Sequence, residues 1–400
     1  MPLDRATKYL LTLLLVAPAA WLGTSAQFYR EAIVSAFFAI ALVSVIIIHL
    51  RVHPSWQDAL LILAGTFLFA AVDFRLLHYK PAIMASFSFA GLSSLLIFGL
   101  RTVWAKDSSR RLLLLGFLPA LLFVTSEYFA DDFLHWTSAI HPKVFDLYLF
   151  SFDASLHVEI PFLVGQAFSM WPALQAVAFI FYIGLPTPIA LIYSGRVLRA
   201  REKAISSFIA FLAAGPVGVL FYNLLPALGP VHIFGKAFPW RPPPAAQAMK
   251  FFLEPIAVAG APNAIPSLHM AWVLLVWWYS RGLSWWERAI ALAFLFFTVL
   301  ATLGTGEHYF VDLVVAFPFA VLMESLCEVS LALNNRGRII AFAFGLFATL
   351  AWLFALRFTP GIFWSSAILP WTLCAATTAA SLICERQLQR AARFRGANTA

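Results

Sequence analysis

Long apolar runs separated by short charged turns dominate the chain. Each run spans about 16 to 24 residues, long enough to cross the hydrocarbon core of a bilayer as a helix. A shorter stretch, 155–170, contains His157, Glu159 and Pro161 and is better interpreted as an interfacial or re-entrant helix. The long runs predict an all-α, polytopic integral membrane protein with about twelve transmembrane helices, near residues 9–23, 31–50, 58–77, 82–100, 111–129, 172–194, 205–226, 266–281, 286–303, 308–326, 338–357 and 364–384.

The basic residues fall where a membrane topology needs them. Placing their loops in the cytoplasm satisfies the positive-inside rule for twelve spans and puts both termini inside. The first run follows Arg5 and Lys8 and precedes small residues at 23–26, which is also typical of a cleaved signal peptide; we favour an uncleaved anchor. The basic clusters lie in 101–111, 195–204, 281–288, 336–338 and the tail after 385.

Composition excludes an ordinary soluble protein, because 62% of the residues are hydrophobic and only 12% are charged. The net charge of +8 is spread over short loops and forms no basic face, so no nucleic-acid partner is predicted. The three cysteines form no CxxC pair, so neither a disulfide framework nor a zinc site is supported. The expected partners are membrane lipids.

Two connections on the predicted outer side are longer than a compact protein needs. Residues 130–171 are polar by the standard of this chain, and residues 227–265 are rich in Pro and Gly. Loops of this length are more often functional than idle. Functional residues are therefore expected beside them.

The segment 304–312 opens a predicted helix at the outer side and contains His308 and Asp312. Residues four apart lie on one face of a helix. A carboxylate there can fix the tautomer of an imidazole and leave the second nitrogen free to attack phosphorus. The alternative is a polar pair at a helix end with only a structural role, because one H-x-x-x-D pattern is weak evidence.

The segment 263–269 opens another predicted helix, one helical hairpin earlier, so both segments should reach the same membrane depth. Pro266 suits a helix start and Ser267 can cap it. The free N–H groups and the dipole of such a start favour an anion. A phosphate there would lie beside His269, although an interfacial histidine at a helix start can also be structural.

Together these segments resemble the phosphatidic acid phosphatase type 2 superfamily. Pro266-Ser267-Leu268-His269 matches its P-S-x-H motif, and His308 with Asp312 matches its H-x-x-x-D motif. Leu268, where Gly is usual, the string from His308 to Leu313 and the segment 223–230 are more similar to the inositol phosphorylceramide synthase branch. The resemblance covers about residues 110–328 and implies a six-helix core with an active site.

The resemblance implies a role for each matching residue. His308 would be the nucleophile that forms a phosphohistidine, and Asp312 would orient it. His269 would protonate the departing alcohol and later deprotonate the acceptor. Ser267 and nearby backbone N–H groups would hold phosphate oxygens. Such a site needs no metal or other cofactor when cationic side chains balance the phosphoryl charge.

The chain departs from the family pattern at its cations. The first motif, K-x6-R-P, is absent: Lys236 and Arg241, which precedes Pro242, have only four residues between them. They are candidates for substrate binding, but each is equally interpreted as a solvated loop charge. The arginine expected six residues before His308 is replaced by Thr302. The phosphate clamp is therefore the part of the site that the motifs leave open.

These features predict an N-terminal four-helix membrane module (1–106), a catalytic core (107–330) and two C-terminal transmembrane helices with a basic tail (331–400). The expected function is a lipid phosphotransferase that moves a phosphoryl or phospho-head group at the outer leaflet. The alternatives are a phosphatase acting on phosphatidate or isoprenoid phosphates, and a non-catalytic lipid-binding or carrier protein. The expected location is a bacterial inner membrane, with the active site facing the periplasm or exterior.

Overall fold

The structure is a computed structural model that describes residues 3–76, 82–128, 130–199, 201–240 and 253–398. Helices account for most of these residues, which confirms the all-α prediction. Extended pairing in the described part is limited to one isolated bridge between Val144 and Ile256. In chain order the helices are α1 (Arg5–Gly23), α2 (Ala26–Val34), α3 (Ala36–Val52), α4 (Trp56–Leu76), α5 (Ile83–Trp104), α6 (Asp107–Tyr128), α7 (Ala130–Ile140), α8 (Asp146–Ser155), α9 (Ile160–Met170), α10 (Pro172–Ile183), α11 (Pro186–Arg199), α12 (Arg201–Tyr222), α13 (Pro230–Phe234), α14 (Leu268–Ser280), α15 (Trp285–Gly304), α16 (Phe310–Cys327), α17 (Arg336–Phe358) and α18 (Leu369–Asn398).

Polar residues at the turns define where the apolar helices begin. Asp4 accepts a hydrogen bond from the Thr7 N–H at 2.7 Å and caps α1. Ser284 and Glu287 form a capping box at α15, in which the Ser284 N–H donates to the Glu287 carboxylate at 2.8 Å. These contacts satisfy N–H groups that the first turn of a helix leaves without a partner.

Eight helical segments are long and apolar enough to cross a membrane, which supports an integral membrane protein. Two further pairs, α8 with α9 and α10 with α11, could each form one span interrupted by a bend, which raises the total to at most ten. The bend between α8 and α9 is 89°. The eight are α1, α4, α5, residues 107–140, α12, α15, α16 and α17.

The predicted count of about twelve spans is not confirmed. α3 has 17 residues and α14 has 13. At 1.5 Å per residue their lengths are about 26 Å and about 20 Å, which is shorter than the hydrocarbon thickness of about 30 Å. The apolar run 172–194 is broken between α10 and α11, beside Gly184 and Pro186. Apolarity alone did not reveal these breaks, because a run of apolar residues reads the same whether its helix is continuous or bent.

The chain forms two compact units. The first contains Met1–Phe129 and Pro186–Ala204, and the second contains Ala130–Leu185 and Ile205–Ala400. In the first unit α3 packs against α5, α6 and α11. In the second unit α16 is the most deeply buried helix and packs against α14, α17 and α18. The division into segments 1–106, 107–330 and 331–400 stays a prediction.

Candidate active site

The two histidine segments meet where α14 and α16 begin, in the second unit. His269 is the second residue of α14, and His308 lies two residues before α16. Their ring centroids are 6.3 Å apart. The Ser267 N–H donates to the backbone carbonyl of Asp312 at 3.2 Å. The structure thus brings together the four residues that the two motifs contribute.

The His308 ring is held at both nitrogens. Its Nδ1 lies 2.9 Å from the carbonyl oxygen of Ala264, and its Nε2 lies 3.2 Å from Ser267 Oγ. A carbonyl oxygen can only accept, so Nδ1 carries the proton in the neutral ring and Nε2 holds the lone pair. The side chain is 3% exposed. This is the tautomer in which Nε2 can act as a nucleophile.

Asp312 is fully buried, but it is not the closest partner of His308. Its Oδ2 lies 3.5 Å from His308 Nδ1 and accepts from the Tyr309 N–H at 2.8 Å. His308 precedes α16, so the pair does not share a helical face in the way the spacing predicts. The Ala264 carbonyl sets the tautomer, and Asp312 places a carboxyl group beside the ring.

Ser267 is the N-cap of α14, as its sequence position predicts. Its hydroxyl accepts from the Met270 N–H at 3.4 Å and its side chain is fully buried. The His269 ring stacks on Tyr182, with centroids 4.0 Å apart and planes 18° apart, and meets Trp272 edge-on. Aromatic packing therefore fixes the orientation of His269 beside His308.

Two buried carboxylates that the motifs do not contain support this geometry. The first is Asp153 on α8, which accepts from the N–H groups of Phe310 at 2.7 Å and Val311 at 3.2 Å. These are the first two residues of α16, so Asp153 caps the helix that follows His308. These two bonds satisfy N–H groups that the first turn of α16 would otherwise leave without a partner.

The second carboxylate is Asp146, also on α8. It accepts from the backbone N–H of Leu228 at 3.0 Å and of Gly229 at 2.8 Å, and its Oδ1 lies 3.3 Å from the Tyr309 hydroxyl. Asp146 therefore joins the 228–229 segment to the residue next to His308. An acidic residue within an apolar protein is costly unless it is paired, and that is the signal that could have identified both carboxylates.

The 228–232 segment crosses closely over residues 304–307. Gly229 has φ +122°, and a Cβ there would lie 2.3 Å from the Glu307 carbonyl oxygen, so the position requires glycine. The crossing brings His232 Nε2 to 3.4 Å from the Glu307 carboxylate. The hydrogen bond with Glu307 raises the pKa of His232, and the nearby charges of Glu307 and Asp146 act in the same direction. Glu307 directly precedes His308 in the chain. The contact therefore places a histidine with a raised pKa against the residue next to His308.

Of the two predicted phosphate-binding cations, the structure describes only Lys236. Lys236 lies in the single-turn helix Gly235–Ala237 and its side chain is exposed, whereas Arg241 lies outside the described residues. Thr302, which occupies the expected arginine position, is fully buried. Its hydroxyl donates to the Val299 carbonyl at 3.1 Å, and its own carbonyl accepts from the His308 N–H at 3.1 Å. Thr302 therefore has a structural role in positioning His308.

Comparisons with known proteins agree with the family resemblance at the level of the superfamily. Residues 147–326 match the family model described as PAP2 superfamily. This range contains both histidine segments and Asp153, whereas Asp146 lies one residue before it. No curated protein and no solved structure matches the chain. The match suggests a lipid phosphatase or phosphotransferase.

Proposed function

We propose that the protein is a membrane phosphotransferase that moves a phosphoryl or phospho-head group of a lipid through a phosphohistidine on His308. The observation that carries this proposal is the arrangement of the His308 ring. Nδ1 donates to the Ala264 carbonyl, and Nε2 faces the hydroxyl that caps α14. The ring is thereby prepared to attack with Nε2 without a change of tautomer.

The reaction takes two displacements. In the first, Nε2 attacks phosphorus, the bond from phosphorus to the leaving oxygen breaks, and His269 gives that oxygen a proton. In the second, His269 takes the proton from an acceptor hydroxyl, the hydroxyl oxygen bonds to phosphorus, and the phosphorus–nitrogen bond breaks. The Ser267 hydroxyl and the first turn of α14 hold the phosphate oxygens, with Lys236 or Arg241 as the proposed cations and no metal in this site.

Burial of the site favours transfer over hydrolysis. Ser267 is fully buried and His308 is 3% exposed, so water has little access to a phosphohistidine at this position. Exclusion of water prevents the competing hydrolysis of a reactive intermediate. We therefore propose a donor and an acceptor that are both lipids, as in the inositol phosphorylceramide synthase branch, with the site at the outer leaflet of a bacterial inner membrane.

The test is turnover by the purified protein in lipid vesicles. Phosphatidylinositol, phosphatidic acid and an isoprenoid pyrophosphate, each labelled at phosphorus, are offered with and without ceramide or diacylglycerol. The wild type is compared with His308→Ala and with His135→Gln, a control at an exposed histidine on α7. We expect an acid-labile label on the wild type and on the control, and none on His308→Ala.

The product distinguishes the competing functions. A labelled lipid product formed only with an acceptor supports transfer, and labelled phosphate formed without an acceptor identifies a phosphatase. Lipid binding that survives His308→Ala, with no turnover by any variant, identifies a non-catalytic carrier. Turnover at the wild-type rate in His308→Ala contradicts the phosphohistidine.

A further inference from the structure

A second cluster of two histidines and a carboxylate lies in the first unit, apart from the residues of the proposed reaction. His49 and His53 are four residues apart at the end of α3, and Asp58 lies in the first turn of α4. One nitrogen of each imidazole and one carboxylate oxygen lie within 4.8 Å of one another. Three possible ligands within ten residues therefore lie close together at the turn between α3 and α4.

We propose that His49, His53 and Asp58 bind a divalent transition-metal ion, zinc in the first instance, with an open coordination position. Two imidazoles and one carboxylate form a ligand set that zinc accepts in sites that keep a fourth position for water or substrate. The ligand atoms are His49 Nε2, His53 Nδ1 and Asp58 Oδ2.

Two of the three separations among these atoms are close to those around a tetrahedral ion, and the third, between the two histidine nitrogens, is within 4.8 Å and must shorten on binding. His49 Nε2 lies 3.2 Å and His53 Nδ1 lies 3.0 Å from Asp58 Oδ2. Ligands at about 2.0–2.1 Å from zinc in a tetrahedron are separated from one another by about 3.3 Å. The ion therefore needs shifts of only a few tenths of an ångström in this pair of distances.

The groups behind the ligands orient them toward a common point. His49 Nδ1 lies 3.0 Å from Ser94 Oγ, which leaves Nε2 as the binding nitrogen. The His49 ring also stacks on Phe98 at 4.5 Å with planes 5° apart. Arg101 donates to Asp58 Oδ1 at 2.9 and 2.7 Å, so the carboxylate presents Oδ2 alone. Partners of this kind fix the tautomer and direction of metal ligands.

The cluster also has access from outside. His49 and Asp58 are fully buried, whereas the His53 side chain is 39% exposed. His53 and Arg101 line a cavity of about 610 Å³ whose other walls are mostly apolar. An ion can reach the cluster through this cavity on the side of His53.

The alternative is a hydrogen-bonded network in which Asp58 is balanced by Arg101 and binds no metal. Zinc titration of the purified full chain, after treatment with a chelator, separates the two. We expect about one zinc per chain by mass spectrometry of the metal content, with the signal lost in His53→Gln and kept in the control His135→Gln. Cobalt in place of zinc is expected to give the intense visible absorption of a four-coordinate ion.

A second variant tests the site without removing a ligand, in case His53→Gln does not fold. Ser94→Ala removes the partner of His49 Nδ1 and leaves all three ligands in place, so we expect metal affinity to fall about 10- to 100-fold. The proposal is overturned if the folded wild type takes up less than a tenth of an equivalent of zinc. It is also overturned if His53→Gln retains the full equivalent, because the ion is then bound elsewhere.

Discussion

The two histidine clusters contain the same residue types but divide their hydrogen bonds differently. In the second unit, Nδ1 of His308 donates to a backbone carbonyl at 2.9 Å and the carboxylate of Asp312 stands back at 3.5 Å. In the first unit, one oxygen of Asp58 lies 3.2 and 3.0 Å from a nitrogen of each histidine. The first arrangement leaves the lone pair of Nε2 facing the Ser267 hydroxyl, and the second brings one nitrogen of each histidine to a shared carboxylate.

The comparison teaches that residue type alone does not assign chemistry to a histidine. A backbone carbonyl fixes the tautomer of His308 without adding charge, so the other nitrogen keeps the lone pair that the proposed nucleophile needs. A carboxylate shared by two imidazoles is instead a site for a positive ion, either protons or a metal. The neighbours of each ring are therefore what support the two proposals, group transfer at His308 and metal binding at His49.

The largest expected effect is that of His308→Asn. The variant removes the nucleophile and keeps a polar side chain of smaller size, so turnover should fall by about a thousandfold or more. The measurement is the rate of labelled product formation in vesicles, compared with that of His49→Asn. If the comparison holds, His49→Asn changes metal content and leaves turnover within about twofold of the wild type.

Removal of metal should affect the cluster of the first unit and leave the proposed active site unchanged. Dialysis against a chelator is expected to lower the unfolding free energy of the first unit. The loss should be about 2.7 kcal/mol compared with protein in free zinc at a hundred times the dissociation constant. Hydrogen exchange of residues 49–58 measures this loss, and turnover measured in parallel should not change. Turnover that falls with zinc content and returns with added zinc would place a metal in the phosphoryl-transfer chemistry, contrary to the comparison.

Asp153→Asn tests the carboxylate that caps α16. The variant replaces one accepting oxygen by an NH2 group, which cannot accept from a backbone N–H, so we expect a loss of about 1–3 kcal/mol in unfolding free energy. Misplacement of His308 should lower kcat about 10- to 100-fold with little change in KM. The matched control is Asp107→Asn, whose side chain is 51% exposed and pairs with Arg110. Equal effects of the two substitutions would rule out a positioning role for Asp153.

Sequence patterns predicted the helical class and identified the residues that meet at the starts of α14 and α16. They could not identify the Ala264 carbonyl, because any residue supplies a carbonyl and only the folded chain shows where it points. They also placed Asp312 as the partner of His308 on the assumption that both lie in one helix, whereas α16 begins after His308. Chain spacing gives proximity, but the start of a helix decides which atoms face each other.

The cluster in the first unit was visible in principle. His49 and His53 are four residues apart and Asp58 follows five residues later, but they lie at or between the ends of two apolar runs that apolarity alone predicts as spans. A polar residue inside or beside such a run is costly unless it has a partner, and this signal applies to His49 as it does to Asp146 and Asp153. A search based on cysteine spacing passes over a site built from imidazoles and a carboxylate.

The smallest expected effect concerns His232, which pairs with Glu307 beside the proposed nucleophile. Because Glu307 raises the pKa of His232, the pair stabilises the fold fully below the ordinary histidine pKa of about 6.5 and loses this contribution as pH rises through the raised pKa. The side chains are 38% and 35% exposed, so solvent screens the pair and its contribution should stay below about 1 kcal/mol. Glu307→Gln should shift the pKa of His232 downward, measured by hydrogen exchange at the imidazole C2 position, whereas Glu254→Gln, an exposed change elsewhere in the same unit, should not. An unchanged pKa in Glu307→Gln would mean that this carboxylate does not raise the pKa of His232. The raised pKa of His232 would then have another cause.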